Sequence, residues 1–240
     1  MMKWFRSTKN EDNFSNLMSW SKVLAERKNI EGLRDLIRIV LRPVQSEHIR
    51  DAYIKEKHKG ISELFWNESL GIQYIIPGIE KTLADYIWSD ECLVKDKSIY
   101  PTLNLASDIT LPTSWHPESI VLNLGKIGEG KPNGAFQQSS NHSVMLSYPL
   151  GIGWVENGNH SIIQGILRGE GQVIPTEVHD LSKLIELIKF DGVNWKSTVS
   201  EKNLGEPRYV EFGWVWEIGR LILKIEESPY QSAIKEQLQI

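Results

Sequence analysis

From Val144 to Val178 the chain is punctuated so closely by glycine and turn residues that the order of its elements is nearly forced. Val144-Met145-Leu146-Ser147-Tyr148 reads as one strand and Gly151-Ile152-Gly153-Trp154-Val155 as a second. Glu156-Asn157-Gly158-Asn159 reads as a turn, because an Asn-Gly pair tolerates left-handed backbone angles. From His160 the spacing of Ile162, Ile163, Ile166 and Leu167 predicts a helix with those side chains inward. Gly169 to Gly171 breaks it, and Gln172 to Val178 reads as a further strand. Strand, glycine turn, helix and strand within about thirty residues make a compact α/β unit. Asp180 then caps a helix expected to run through Lys189.

The segments on either side differ in character. Residues 1–98 read as a helical N-terminal region and residues 99–240 as the α/β domain with a C-terminal helix. Ser15 to Glu26 is predicted helical, with Leu17, Trp20, Val23 and Leu24 inside. Asn29 suits the N-cap of Ile30 to Leu41, where Leu33, Leu36, Ile37, Val40 and Leu41 form a stripe. Pro43 is expected to end that helix, since proline lacks the N–H the ladder needs. Ser46 to Ile54 gives a third helix, Ile61 to Leu70 a fourth, and Pro77 to Trp88 a fifth with Pro77 in its first turn. Tyr100 to Gly151 is rich in turn formers, with β-type runs such as Ser119 to Leu124. Tyr209 to Ile225 carries a helical stripe at Phe212, Val215, Trp216, Gly219 and Ile222, and the last dozen residues form a short amphipathic end. The fold class expected is therefore α/β (α+β), helices first and a small mixed sheet after.

Composition narrows the function classes. Nine Trp, seven Tyr and six Phe carry too much apolar surface for a solvated coil. Cys92 is the one cysteine, which excludes an internal disulfide or a thiol zinc cluster and fits a reducing cytoplasm. No apolar run approaches the roughly 18 to 20 residues that cross a bilayer, and Met1 to Arg6 has no apolar segment behind it. A cytoplasmic protein without a membrane partner is expected. The net charge is −4, yet residues 1–60 hold 13 Lys/Arg against 8 Asp/Glu, leaving −9 for the rest. That excess allows a non-catalytic module in which the basic helical N-terminal region meets a protein or nucleic acid. Arg34, Arg38, Arg42 and Arg50 would be its contacts, and a solvated helix surface is the plainer reading.

The turn Val155 to Ser161 carries the chemistry. A glycine beside polar residues at a helix start offers free backbone N–H groups and the positive end of the helix dipole, which suit phosphate or carboxylate. His160 in the first turn can donate a proton or a hydrogen bond to such an anion. A plain turn with Asn159 or Ser161 as N-cap is the competing reading.

These residues also carry a resemblance. Ile109-Thr110-Leu111-Pro112, Trp154 through Ser161, Ile163-Gln164-Gly165-Ile166 and Val173-Ile174-Pro175-Thr176-Glu177-Val178 resemble the motifs of the ParB/sulfiredoxin superfamily, over about a third of the chain. Asn-Gly-Asn-His-Ser after a tryptophan resembles an uncharacterised bacterial branch. The resemblance implies a ParB/sulfiredoxin-like fold from residue 99 on and a nucleotide or phosphate site at the turn: CTP in partition proteins, ATP in sulfiredoxins and a related serine kinase. By position Gly158 matches the motif glycine and His160 the histidine of the sulfiredoxin form. Asn159 stands where sulfiredoxin has its cysteine, so sulfinic-acid reduction is not supported. Ser161 stands where the phosphate-binding arginine is expected, and Arg168 is the residue left to compensate.

The expected function is thus a nucleotide- or phosphate-binding protein, with NTPase, phosphotransferase or nuclease chemistry as the enzymatic forms. Asn157, Gly158, Asn159, Ser161 and Arg168 would bind phosphate; His160, His116 and Glu156 would be catalytic, with Glu156 or Glu118 holding Mg²⁺ brought by a nucleotide or acting as base. Gly125 to Gly134 lacks the Gly-Lys-Ser/Thr ending of a phosphate loop, since Pro132 follows Lys131. His116, His142, His160 and His179 show no metal-ligand spacing, and no Gly-x-Ser-x-Gly elbow supports a hydrolase.

Overall fold

A computed structural model describes residues 2–55, 73–113 and 121–239 of the 240-residue chain. Helices α1 (Met2–Glu26) and α2 (Ile30–Ile54) come first. In α1 the face turned to the core carries Phe14, Leu17, Leu24 and Ala25, with the small Ser21 fully buried among them. Trp20 is 68% exposed and Val23 also faces solvent, so the expected inward face is rotated by about one residue. The Ser21 hydroxyl donates to the Leu17 carbonyl at 2.8 Å, which lets a polar residue sit at the contact.

Asn29 caps α2 as expected, its side chain accepting from Gly32 N at 2.9 Å. The helix does not stop at Pro43, and the separate helix from Ser46 is its continuation. Pro43 lies on the exposed face, and Ile39, whose carbonyl loses its partner, is 67% exposed, so water can hydrate that carbonyl. The opposite face, Leu33, Ile37, Leu41 and Val44, is buried without interruption.

The helix expected from Pro77 is instead a hairpin, β1 (Ile75–Ile76) and β2 (Lys81–Thr82), leading into the short α3 (Leu83–Ile87). Gly78 at φ +96° and Glu80 at φ +51° make the turn, and Thr82 Oγ1 caps α3 by accepting from Asp85 N. The helix expected over 61–70 lies outside the described residues. Residues 121–123 form a helical turn rather than part of a strand.

The central sheet has four strands in the order β4 (Ile109–Pro112), β6 (Ile152–Asn157), β5 (Ser143–Tyr148), β8 (Glu177–Asp180). β4 runs parallel to β6, β6 antiparallel to β5, and β5 parallel to β8, so the sheet is mixed. Between β6 and β8 come α4 (Asn159–Arg168) and β7 (Gln172–Val173), which pairs with β3 (Leu103–Asn104) outside the sheet. The run Gln172 to Val178 is therefore two strands, divided around Pro175, which lacks a ladder donor. Leu167 in α4 is 58% exposed, while Ile162 and Ile163 are buried.

After β8 the chain forms α5 (Ser182–Leu187), then the antiparallel sheet β9 (Ile188–Phe190), β10 (Trp195–Ser197) and β11 (Asn203–Gly205). Asp180 accepts from Ser182 N at 2.9 Å at the start of α5, but the helix stops at Leu187 and Lys189 is in a strand. α6 (Val210–Leu223) buries Phe212, Val215, Trp216, Gly219 and Ile222 as its spacing predicts. It packs against α1 and α2, so one core joins Leu33 and Ile37 to Trp154, Phe212 and Trp216. α7 (Gln231–Leu238) closes a second core with Val144, Ile162 and Val178. The protein has the mixed α/β character read from its sequence. Among the described residues no helix is long and apolar enough to cross a membrane.

Candidate functional site

β6 ends in two exposed residues, Glu156 and Asn157, and turns at Gly158 into α4. Gly158 has φ +79° and ψ 18°, a conformation that costs a side-chain-bearing residue about 1 to 2 kcal/mol. Space forbids a side chain as well: a β-carbon there would stand 2.5 Å from His142 Cδ2 and 3.1 Å from the Asn141 carbonyl oxygen.

Among the described residues no side chain caps α4, whose N-cap position is Gly158. The Gly158 carbonyl accepts from Ile162 N at 3.1 Å and from the Ser161 hydroxyl at 2.9 Å. The Asn159 side chain points back to the sheet, its Oδ1 accepting from Thr113 N at 2.6 Å, and so ties the helix start to the end of β4. Asn157 Oδ1 accepts from Gly158 N at 3.0 Å, and its Nδ2 donates to Asn141 Oδ1 at 3.1 Å. Glu156 Oε2 accepts from the Ser143 hydroxyl at 2.9 Å. The amides of Asn159 and Ser161, by contrast, meet no acceptor among the described residues.

His142 supplies the brace. Its Nδ1 accepts from Ser139 N at 2.8 Å, which places the ring proton on Nε2, and Nε2 lies 2.6 Å from Ser161 Oγ. The ring therefore donates to Ser161, which donates onward to the Gly158 carbonyl. A serine activated for attack needs the opposite direction, with the imidazole as acceptor. Burial holds the His142 pKa below the usual histidine range, against a smaller opposing effect of the Ser139 carbonyl, 3.3 Å from Nδ1. The pair therefore rigidifies the turn.

The structure thus gathers Glu156, Asn157, Gly158, Asn159, His160 and Ser161 in one turn, with His160 half-buried at the second helical position. Arg168 is not brought to it. It lies in the last turn of the ten-residue α4, roughly 14 Å along the axis, and its stem packs by Gly128. His116 and Glu118 lie outside the described residues. His179 stands apart in β8, fully buried, edge-on to Trp88 at 5.2 Å and 3.5 Å from Glu177. Among the described residues no three His, Cys, Asp or Glu side chains are grouped to hold a metal ion. Ser139, Asn141 and Thr113 join the site through contacts to His142, Asn157 and Asn159 that their own local sequence does not mark.

A family model described as a family of unknown function, DUF6710, matches residues 1–229. The chain belongs to that family. The DUF6710 match takes in α1 through α6 whole, and with them the α4 turn and its brace. None of the curated proteins and none of the solved structures compared matches the chain.

Proposed function

We propose that this DUF6710 protein binds a phosphate-bearing small molecule, a nucleotide by preference, at the first turn of α4. One observation carries the reading: a helix N-terminus without a side-chain cap, whose Asn159 and Ser161 amides meet no acceptor among the described residues. Such amides and the helix dipole together favour an anion. The ParB/sulfiredoxin resemblance names the same turn, with Gly158 and His160 in matching positions and a nucleotide as ligand. Because Ser161 is held as an acceptor from His142, binding rather than nucleophilic chemistry is the activity proposed. A cytoplasmic setting, where nucleotides are abundant, suits this reading.

The alternative, a basic face for nucleic acid, is weakened by how its arginines are engaged. Arg34 pairs with Glu31 and Glu226, Arg38 with Asp35 and Asp108, and Arg50 with Glu47 and Asp51. Arg42 donates to Gln45 Oε1 and the Ser107 carbonyl. A nucleic acid would have to displace these partners before gaining phosphate contacts.

Calorimetric titration with ATP, CTP, GTP, their diphosphates and inorganic phosphate, each with Mg²⁺, tests the proposal. Asn157→Asp is the informative variant, since it keeps the acceptor for Gly158 N and sets a negative charge beside the amides. Binding below millimolar is expected, weakened about tenfold in that variant, equal to about 1.4 kcal/mol. Absence of binding by every nucleotide, or equal affinity in Asn157→Asp, would overturn it.

A further inference from the structure

Large apolar side chains exposed one at a time carry little information, but neighbours exposed together mark a contact surface. Val121 and Leu122, in the helical turn over 121–123, are 71% and 65% exposed, and Leu124 directly after it is 45% exposed. Gly125 N donates to Gln164 Oε1 at 3.0 Å, which seats this apolar tip beside α4. Leu167, about one turn beyond Gln164, is 58% exposed on the same helix. Ile127 and Ile166, by contrast, pack against the second core, so the loop and the helix each divide their apolar residues between the interior and this face.

Cations flank the tip. From Gly125 the chain runs on along α4, since a β-carbon at Gly128 would stand 3.2 Å from Arg168 Cγ and 3.3 Å from Lys131 Cγ. The two basic stems thus pack beside one glycine, and Lys126 follows the tip two residues after Leu124. Among the described residues the head groups of Lys126, Lys131 and Arg168 have no ion-pair or hydrogen-bond partner, whereas Arg34, Arg38, Lys55 and Lys81 each meet a carboxylate. Two carboxylates, Glu129 and Glu170, oppose them. Both oxygens of Glu170 accept from the loop main chain, from Glu129 N at 3.0 Å and Phe136 N at 2.9 Å, which braces the loop. Three cations against two carboxylates, one of them engaged with amides, leave the face positive.

We propose that this face docks onto an anionic lipid surface, with Val121, Leu122 and Leu124 entering the headgroup boundary and Lys126, Lys131 and Arg168 against the lipid phosphates. Apolar insertion and attraction between cations and anionic headgroups act together in such contacts. The form of the patch favours a bilayer over a protein. Three large apolar residues within four positions make a narrow tip, where a protein interface presents a broader buried centre. The absence of a membrane partner expected from the sequence concerns spanning length; this contact lies in the interface and needs no long apolar run. The face adjoins the C-terminal half of α4 and not its first turn, so it stands or falls apart from the phosphate-binding proposal.

Co-sedimentation of the full chain with phosphatidylcholine vesicles, with and without phosphatidylglycerol, tests it. Binding to the anionic vesicles is expected, about tenfold or more tighter than to the neutral ones and falling as salt is raised. Leu122→Ser is expected to weaken it about tenfold. Lys131→Gln combined with Arg168→Gln is expected to weaken it about twentyfold. These positions lie outside the core, so circular dichroism and melting temperature should stay as in the wild type. Asn157→Asp alters the α4 turn and is expected to keep nearly full vesicle binding, which separates this face from a headgroup phosphate held at the turn. No binding to anionic vesicles, equal binding to neutral ones, unchanged binding by Leu122→Ser, or its loss in Asn157→Asp would each overturn the proposal. A concentration-dependent dimer abolished by Leu122→Ser, with vesicles left unbound, would assign the face to a second copy and overturn it too.

Discussion

The imidazole of His142 closes over Gly158 so tightly that a β-carbon at the glycine would stand 2.5 Å from its Cδ2. Two segments distant in sequence, the approach to β5 and the start of α4, are locked by this contact and by the bond from His142 to Ser161. The helix N-terminus is thereby fixed by groups that leave the Asn159 and Ser161 amides without an acceptor among the described residues.

Gly158→Ala is accordingly expected to destabilise the fold by about 2 to 4 kcal/mol, combining a left-handed backbone penalty with overpacking against His142. Urea unfolding of the two proteins measures the difference. A loss below about 0.5 kcal/mol, within the range of an ordinary surface substitution, would show that the turn relaxes freely.

Stability is expected to fall on mild acidification. Burial lowers the His179 pKa, more than the bond to Glu177 raises it, and burial lowers His142 in the same sense. The unfolded chain, with histidines near 6.5, therefore binds protons first, and stability declines as pH drops below about 6.5 until it passes the folded-state values. The limiting slope is about 1.4 kcal/mol per pH unit for each group. Urea midpoints between pH 7.5 and 5 read this, and His179→Gln should flatten the slope in part. A midpoint that rises on acidification would contradict the burial of these rings.

Cys92 is fully buried, and its thiol is pushed up chiefly by that burial, then by the charges of Asp180 and Glu91. Its Sγ faces the Asp180 carbonyl at 3.5 Å. Labelling by an aromatic disulfide reagent should therefore be slow in native buffer and accelerate with urea in step with unfolding. Immediate labelling of the folded protein would place the thiol at the surface.

How much of this was legible in the sequence depends on the range of the forces involved. The α6 stripe and the glycine-bounded helix α4 were readable because periodicity and backbone permissiveness act locally. In α1 apolarity points to Trp20 as the inward residue, while packing selects the small Ser21. Pro43 did not end α2, because the buried face from Leu33 to Val44 outweighs one lost hydrogen bond at an exposed carbonyl. The hairpin at Ile75 to Thr82 was hidden by a proline that also suits a helix start. At the candidate site the turn was visible from Asn157-Gly158, but the brace was not. His142 meets Ser161 nineteen residues later, through a strand pairing that no local pattern encodes.

The most direct test of the proposed anion site at this turn is the amide NMR spectrum of Asn159, His160 and Ser161 during titration with inorganic phosphate and then with a nucleotide and Mg²⁺. Saturable downfield shifts confined to these amides and their neighbours are predicted. Amides that stay in place while the rest of the spectrum responds, or that do not respond at saturating ligand, would contradict the assignment of the turn as the binding site.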